Sequence, residues 1–155
     1  MTLNTFNFNT TPGLRFGSGQ AKNSCKEIFN KLGPRILLIT DRGLMSLGLT
    51  KPTIDELNKM GSVEVFDEVE ADPSQKTLLS AIEIGKKFKA TGVIGFGGGS
   101  SMDVAKLSSL ILGSNEDLEK AWGVANAKGP RLPLALVPTT AVSYTHLTLP
   151  TICSV

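Results

Sequence analysis

The chain has 155 residues, 41% of them hydrophobic and 19% charged, with 16 Lys and Arg against 14 Asp and Glu. That balance fits a single globular domain with an apolar core and excludes a disordered chain, which carries too little apolar surface and too much net charge. The formal charge of +2 is scattered along the sequence, so the clustered basic face that a nucleic acid or an anionic membrane requires is missing, and no run reaches the roughly 18 apolar residues of a membrane span.

Phe6 and Phe8 alternate with Asn7 and Asn9, and Leu14 to Phe16 is a second extended piece. Thr11-Pro12-Gly13 between them is turn chemistry, which predicts an N-terminal β hairpin or paired edge strands. Met1 to Thr10 has neither the basic start nor the apolar run of a signal peptide. Ala21, Cys25, Ile28, Phe29 and Leu32 then form one helical stripe ending at Gly33-Pro34, and Cys25 on that stripe reads as core. Cys25 and Cys153 form no CxxC pair, which argues against a disulfide framework and a structural zinc site. A soluble cytoplasmic protein is the expectation.

Ile36 to Thr40 is a continuous apolar run, the pattern of a parallel strand buried on both faces. Ile54, Leu57 and Met60 mark a short helix opened by Pro52 and closed by Gly61. Val63 to Val65 is a shorter strand, and Pro73 precedes a helix carrying Leu78, Leu79, Ile82 and Phe88. Val93 to Phe96 runs as a strand into Gly97-Gly98-Gly99, and Ser100 starts a helix through about Leu112. Residues 114–130 are polar and Gly-rich around Trp122, a packing anchor in a loop or short helix, and Leu134 to Val137 is a last buried strand. Strand and helix alternate at least three times, which predicts an α/β doubly wound parallel sheet over residues 1–141. Residues 142–155 carry no charged residue and no helical stripe. They are expected to be a non-native or disordered tail.

In an open parallel sheet, ligands bind beyond the carboxyl ends of the strands. Asp41, the run Gly97 to Ser101, and Thr139-Thr140 all reach that edge. Three glycines without Cβ atoms let a phosphate approach the backbone, and the helix that follows adds free amides and the positive end of its dipole. Ser100 and Asp103 have the spacing of a capping box for that helix. The alternative is a tight strand-to-helix turn that needs small residues. The run is no Rossmann fingerprint, since Ser100 stands where its third glycine belongs, and no P-loop, since Gly98 stands where that motif has lysine. Asp41 can accept from both ribose hydroxyls of an adenosine or simply cap a turn. Thr139 and Thr140 can bind a nucleotide or end a strand. His146, the single histidine, cannot make a metal site alone.

Arg15 to Gly19 (RFGSG), Ile36 to Leu44 (ILLITDRGL), Val65 to Pro73 (VFDEVEADP), Gly95 to Lys106 (GFGGGSSMDVAK) and Leu134 to Ala141 (LALVPTTA) occur in that order. Together they resemble the N-terminal, Rossmann-like dinucleotide-binding domain of the iron-containing alcohol dehydrogenases, over roughly residues 6–141. The resemblance implies that Asp41 holds the adenosine ribose and favours NAD over NADP. It implies that Gly97, Gly98, Gly99 and Ser100 wrap the pyrophosphate with Ser101 and Asp103 nearby, and that Thr139 and Thr140 touch the adenosine side. It further implies a helical second domain with an Asp and three His for a divalent metal, usually iron and in some members zinc.

Here the pattern after Ala141 breaks before the expected Gly-Thr-Gly-Ser-Glu. The chain is therefore expected to be an oxidoreductase fragment that binds NAD and holds no metal, inactive alone. When complete it would act on an alcohol or aldehyde as a homo-oligomer, with no nucleic-acid or membrane partner. A glycerol dehydrogenase or 3-dehydroquinate synthase shares the architecture, and a non-catalytic nucleotide-binding module is the other alternative.

Overall fold

A computed structural model describes residues 13–114 and 129–140. Its elements in chain order are α1 (Gln20–Asn23), α2 (Cys25–Leu32), β1 (Arg35–Ile39), α3 (Arg42–Ser46), α4 (Lys51–Asn58), β2 (Ser62–Phe66), α5 (Gln75–Phe88), β3 (Gly92–Gly97), α6 (Gly99–Ser114) and β4 (Leu134–Pro138). The expected tail, Trp122, His146, Phe6 and Phe8 lie outside the described residues.

The four strands form one parallel sheet in the order β2-β1-β3-β4. Leu38 is the register point at the centre, paired with Val65 on one side and Ile94 on the other. Successive side chains of a strand point to opposite faces, and the continuous apolar runs therefore feed two cores. Leu37, Ile39 and Val93 pack with Leu78, Ala81 and Ile82 of α5 and Val104 and Ala105 of α6. Ile36, Leu38, Ile94 and Phe96 pack with Cys25, Ile28 and Leu32 of α2 and Leu57 of α4. Each such fully buried Leu or Ile contributes about 1.5–3 kcal/mol, so the two central strands contribute heavily to the stability of the fold.

Crossovers between parallel strands keep one hand. The chain moves one way from β1 to β2 and the other way from β2 to β3 and β4. A constant hand then requires the crossover helices to change face, and α4 indeed packs on one core while α5 and α6 pack on the other. The reversal leaves β1 and β3 as neighbours whose chains leave in opposite directions, the switch point at which such sheets open a crevice.

Three local expectations differ from the structure. Leu14 to Phe16 forms no strand, and Leu14 and Phe16 are exposed; Gly19, at φ 74°, then turns the chain directly into α1. The single stripe from Ala21 to Leu32 is two helices divided at Ser24. Leu79 is half exposed, and Leu78, Ala81, Ile82 and Gly85 face the core in its place. Cys25 is buried as expected. Its Sγ donates to the Ala21 carbonyl at 3.3 Å, and burial first, then the Glu56 charge, pushes the thiol pKa up.

At Gly95 α6 lies close against the sheet. A Cβ there would lie 2.7 Å from Ala105 Cβ, 2.8 Å from Leu136 Cδ2 and 3.3 Å from Met102 Cα. Gly95→Ala is therefore expected to destabilise the chain by about 1–3 kcal/mol through overpacking. Urea unfolding should show a lower midpoint with an unchanged slope.

Candidate functional site

Asp41 leaves β1 in an extended conformation, φ −117° and ψ 159°, and its Oδ1 accepts from Leu44 N at 2.9 Å. It thereby caps α3, a short helix that the sequence pattern did not reveal. An N-cap aspartate stabilises a helix by about 1 kcal/mol, so the capping role expected as an alternative is real. It occupies only one carboxylate oxygen.

A cleft of about 960 Å³ opens at the carboxyl edge of the sheet, lined among others by Asp41, Gly98, Ser100, Ser101, Thr139 and Thr140. Residues from the ends of β1, β3 and β4, distant in sequence, thus share one wall. Thr139 N donates to the Gly97 carbonyl at 3.0 Å, which ties the end of β4 to the glycine run and sets Thr140 beside Gly98.

The glycines divide into two kinds. Gly97 has φ 148°, and a Cβ there would meet Ser101 Oγ at 2.8 Å and Leu44 Cδ1 at 3.2 Å. Its glycine is required by the backbone. Gly98 and Gly99 have no positive φ; a Cβ on Gly98 would only touch Thr140 Oγ1 at 3.7 Å, and one on Gly99 would meet nothing within 4 Å. Nothing among the described residues requires them, and they leave an open cradle at the start of a helix.

That helix is α6, with 16 residues. Its first backbone bond runs from Met102 N to the Gly98 carbonyl at 3.1 Å, and the amides of Gly99, Ser100 and Ser101 precede any helix carbonyl that could take them. The helix starts one residue earlier than expected, so Ser100 sits in its first turn and the Ser100–Asp103 capping box does not form. Asp103 does not line the cleft. Its Oδ1 instead accepts from Lys106 Nζ at 3.1 Å, and the Lys106 side chain is 8% exposed. A buried ammonium needs such a counter-charge, which gives Asp103 a structural task.

The loop after β2 supplies lining residues that the motif reading missed: Asp67, Glu68, Val69, Glu70 and Ala71. Their signal was position, since this loop also leaves the carboxyl end of a strand. Glu68 pairs with Arg42 across the rim at 2.7 Å. Glu70 is tied to the start of α5 on the same wall. Its carboxylate accepts from Thr77 Oγ1 at 2.5 Å and Ser74 N at 3.0 Å, and these bonds, the Thr77 hydroxyl first, hold its pKa down to about 2. Among the described residues no group of three or more His, Cys, Asp or Glu converges as a metal site, and no helix is long and apolar enough to cross a membrane.

The family model for iron-containing alcohol dehydrogenases matches residues 12–148. The chain belongs to that family. It is 32% identical to the sulfoacetaldehyde reductase of Bilophila wadsworthia over 134 residues, which are 85% of this chain and 34% of that protein. It is likewise 32% identical to the choline dehydrogenase of Bacillus subtilis, over 87% of this chain and 35% of the relative. The chain thus spans about a third of the length of these curated relatives. Its structure superimposes on the alcohol dehydrogenase of Oenococcus oeni with TM-score 0.81 and 25% identity, over 88% of this chain and 36% of the other. The sulfoacetaldehyde reductase of Bifidobacterium kashiwanohense, solved with NAD+, matches with TM-score 0.73 and 27% identity, over 88% of this chain and 36% of the other.

Two outcomes follow for this family member. Gly97→Ala should destabilise the fold by about 1–3 kcal/mol, whereas Gly98→Ala and Gly99→Ala should leave the urea midpoint unchanged or slightly raised; equal losses at all three positions would contradict the division. For Glu70 the folded pKa lies below the ordinary value of 4.5, so its contribution is present above about pH 4.5 and lost as pH falls toward 2. The difference in thermal midpoint between the parent and Glu70→Gln should therefore be flat above that range and shrink below it.

Proposed function

We propose that the chain is the NAD-binding part of an enzyme that moves hydride between an alcohol and a nicotinamide cofactor. The observation that carries this reading is the convergence of Asp41, the open glycines and Thr139-Thr140 on one cleft at the β1–β3 switch point. Asp41 would hold the adenosine ribose through hydrogen bonds from its two hydroxyls, using the carboxylate oxygen that α3 leaves free. The amides of Gly99, Ser100 and Ser101, with the positive end of α6, would hold the pyrophosphate, and Gly98 and Gly99 supply the clearance a phosphate needs. Gly97 shapes the loop, and Thr139 and Thr140 close the cleft on the adenosine side. Asp103 supports this wall through Lys106 and need not touch the cofactor.

When bound, the nicotinamide would supply a hydride acceptor, and the chain's own residues would bind, orient and discriminate. The relatives' names, a sulfoacetaldehyde reductase and a choline dehydrogenase, support an alcohol or aldehyde as the substrate class, and the Bifidobacterium relative with NAD+ supports NAD as cofactor. The described residues do not fit a metal ion, since no three His, Cys, Asp or Glu side chains converge among them.

Equilibrium dialysis of the purified chain against NAD+ and NADP+ tests the cofactor assignment. The parent is expected to prefer NAD+, because its ribose offers two donors to Asp41 where NADP+ presents a like charge. Asp41→Ser keeps an oxygen to cap α3 and removes the carboxylate. Losing a hydrogen bond to a charged acceptor, at about 1.5–3 kcal/mol, weakens NAD+ binding roughly 10- to 150-fold and erodes the preference. Gly99→Ala should weaken both dinucleotides while the fold stays intact. A parent that prefers NADP+, or an Asp41→Ser chain with an unchanged ratio of affinities, would refute the assignment.

A further inference from the structure

Arg42 follows Asp41 directly, and its Nη2 donates to Glu68 Oε1 at 2.7 Å. Glu68 comes from the loop after β2, and its backbone forms an antiparallel bridge with that of Asp41, so the ribose carboxylate, the guanidinium and the second carboxylate are held together on one rim. All three residues line the cleft. The Arg42 and Glu68 side chains are 75% and 59% exposed. An ion pair so open to water contributes about 0–1 kcal/mol to stability, which makes stability a weak account of it.

A free guanidinium presents a planar fork of donors that suits phosphate oxygens, and in dinucleotide sites an arginine near the ribose carboxylate is what accommodates a 2′-phosphate. Arg42 stands in that position, with its charge already engaged. Resting on the reading that Asp41 holds the adenosine ribose, we infer that Glu68 is a specificity-determining residue: by engaging Arg42 it withholds the guanidinium from a 2′-phosphate. Rejection of NADP then has two layers. Asp41 repels the phosphate, and Glu68 keeps the adjacent cation from offsetting that repulsion.

The two layers separate in a set of variants built on Asp41→Ser, in which the first is removed. Dissociation constants for NAD+ and NADP+ are measured by calorimetry at low salt on the purified chain with Asp41→Ser alone, with Glu68→Gln added, with Arg42→Ala added, and with both. Glu68→Gln is expected to tighten NADP+ about three- to fivefold, equivalent to at most about 1 kcal/mol, and to change NAD+ by less than about twofold. The gain should vanish in the Arg42→Ala background and fade with added salt. An NADP+ affinity indifferent to Glu68→Gln overturns the inference. So does an equal gain in the presence of Arg42→Ala, because Glu68 then acts by direct repulsion and not through the arginine. The parent chain distinguishes this failure from a deeper one. If it binds NAD+ while the variants behave in either of those ways, only the role of Glu68 falls; if it binds neither dinucleotide, the cofactor reading falls and the inference with it.

Discussion

β1 and β3 lie side by side without being consecutive in the chain, and both are buried on both faces. Covering both faces requires helices on each, and crossovers of constant hand can supply them only if the chain reverses direction across the sheet. The reversal parts the loops after β1 and β3. Everything at the cleft depends on that parting: Asp41 hangs from one side, the glycine run and α6 from the other, and β4 brings Thr139 and Thr140 alongside through the bond from Thr139 N to the Gly97 carbonyl.

Structural and proposed functional roles coexist in single residues here. Asp41 caps α3 with one oxygen and keeps the other available, so its two expected roles are compatible. Gly97 meets a backbone requirement, whereas Gly98 and Gly99 meet none among the described residues and leave open space on the cleft. Asp103 is the reverse case, drawn from the cleft to the buried Lys106 ammonium. The same reasoning separates the carboxylates of the β2 loop, where Glu70 serves the start of α5 and Glu68 faces Arg42 on the rim.

What could be read in advance followed from periodicity. The runs Ile36–Ile39 and Val93–Phe96 carry no polar side chain and are short, which suits strands covered on both faces; with the shorter runs at Val63–Val65 and Leu134–Val137 they made the doubly wound class and the four strands legible. The helices of α5 and α6 were legible from apolar spacing. The short α3 was not, because a helix of 5 residues has too few positions to show a stripe and exists here through one capping carboxylate.

By itself the sequence determined the element order, the two-faced burial of the central strands and the chemistry available at the strand ends. It also carried the ordered motifs by which the family resemblance was seen. The tertiary structure alone decided the strand order, where α6 begins, which glycines are structural, and which carboxylate faces which cation. Those outcomes depend on contacts between residues far apart in the chain, such as Gly95 with Leu136 and Arg42 with Glu68. Local periodicity reports only which face of an element is apolar; it holds no record of what that face will meet.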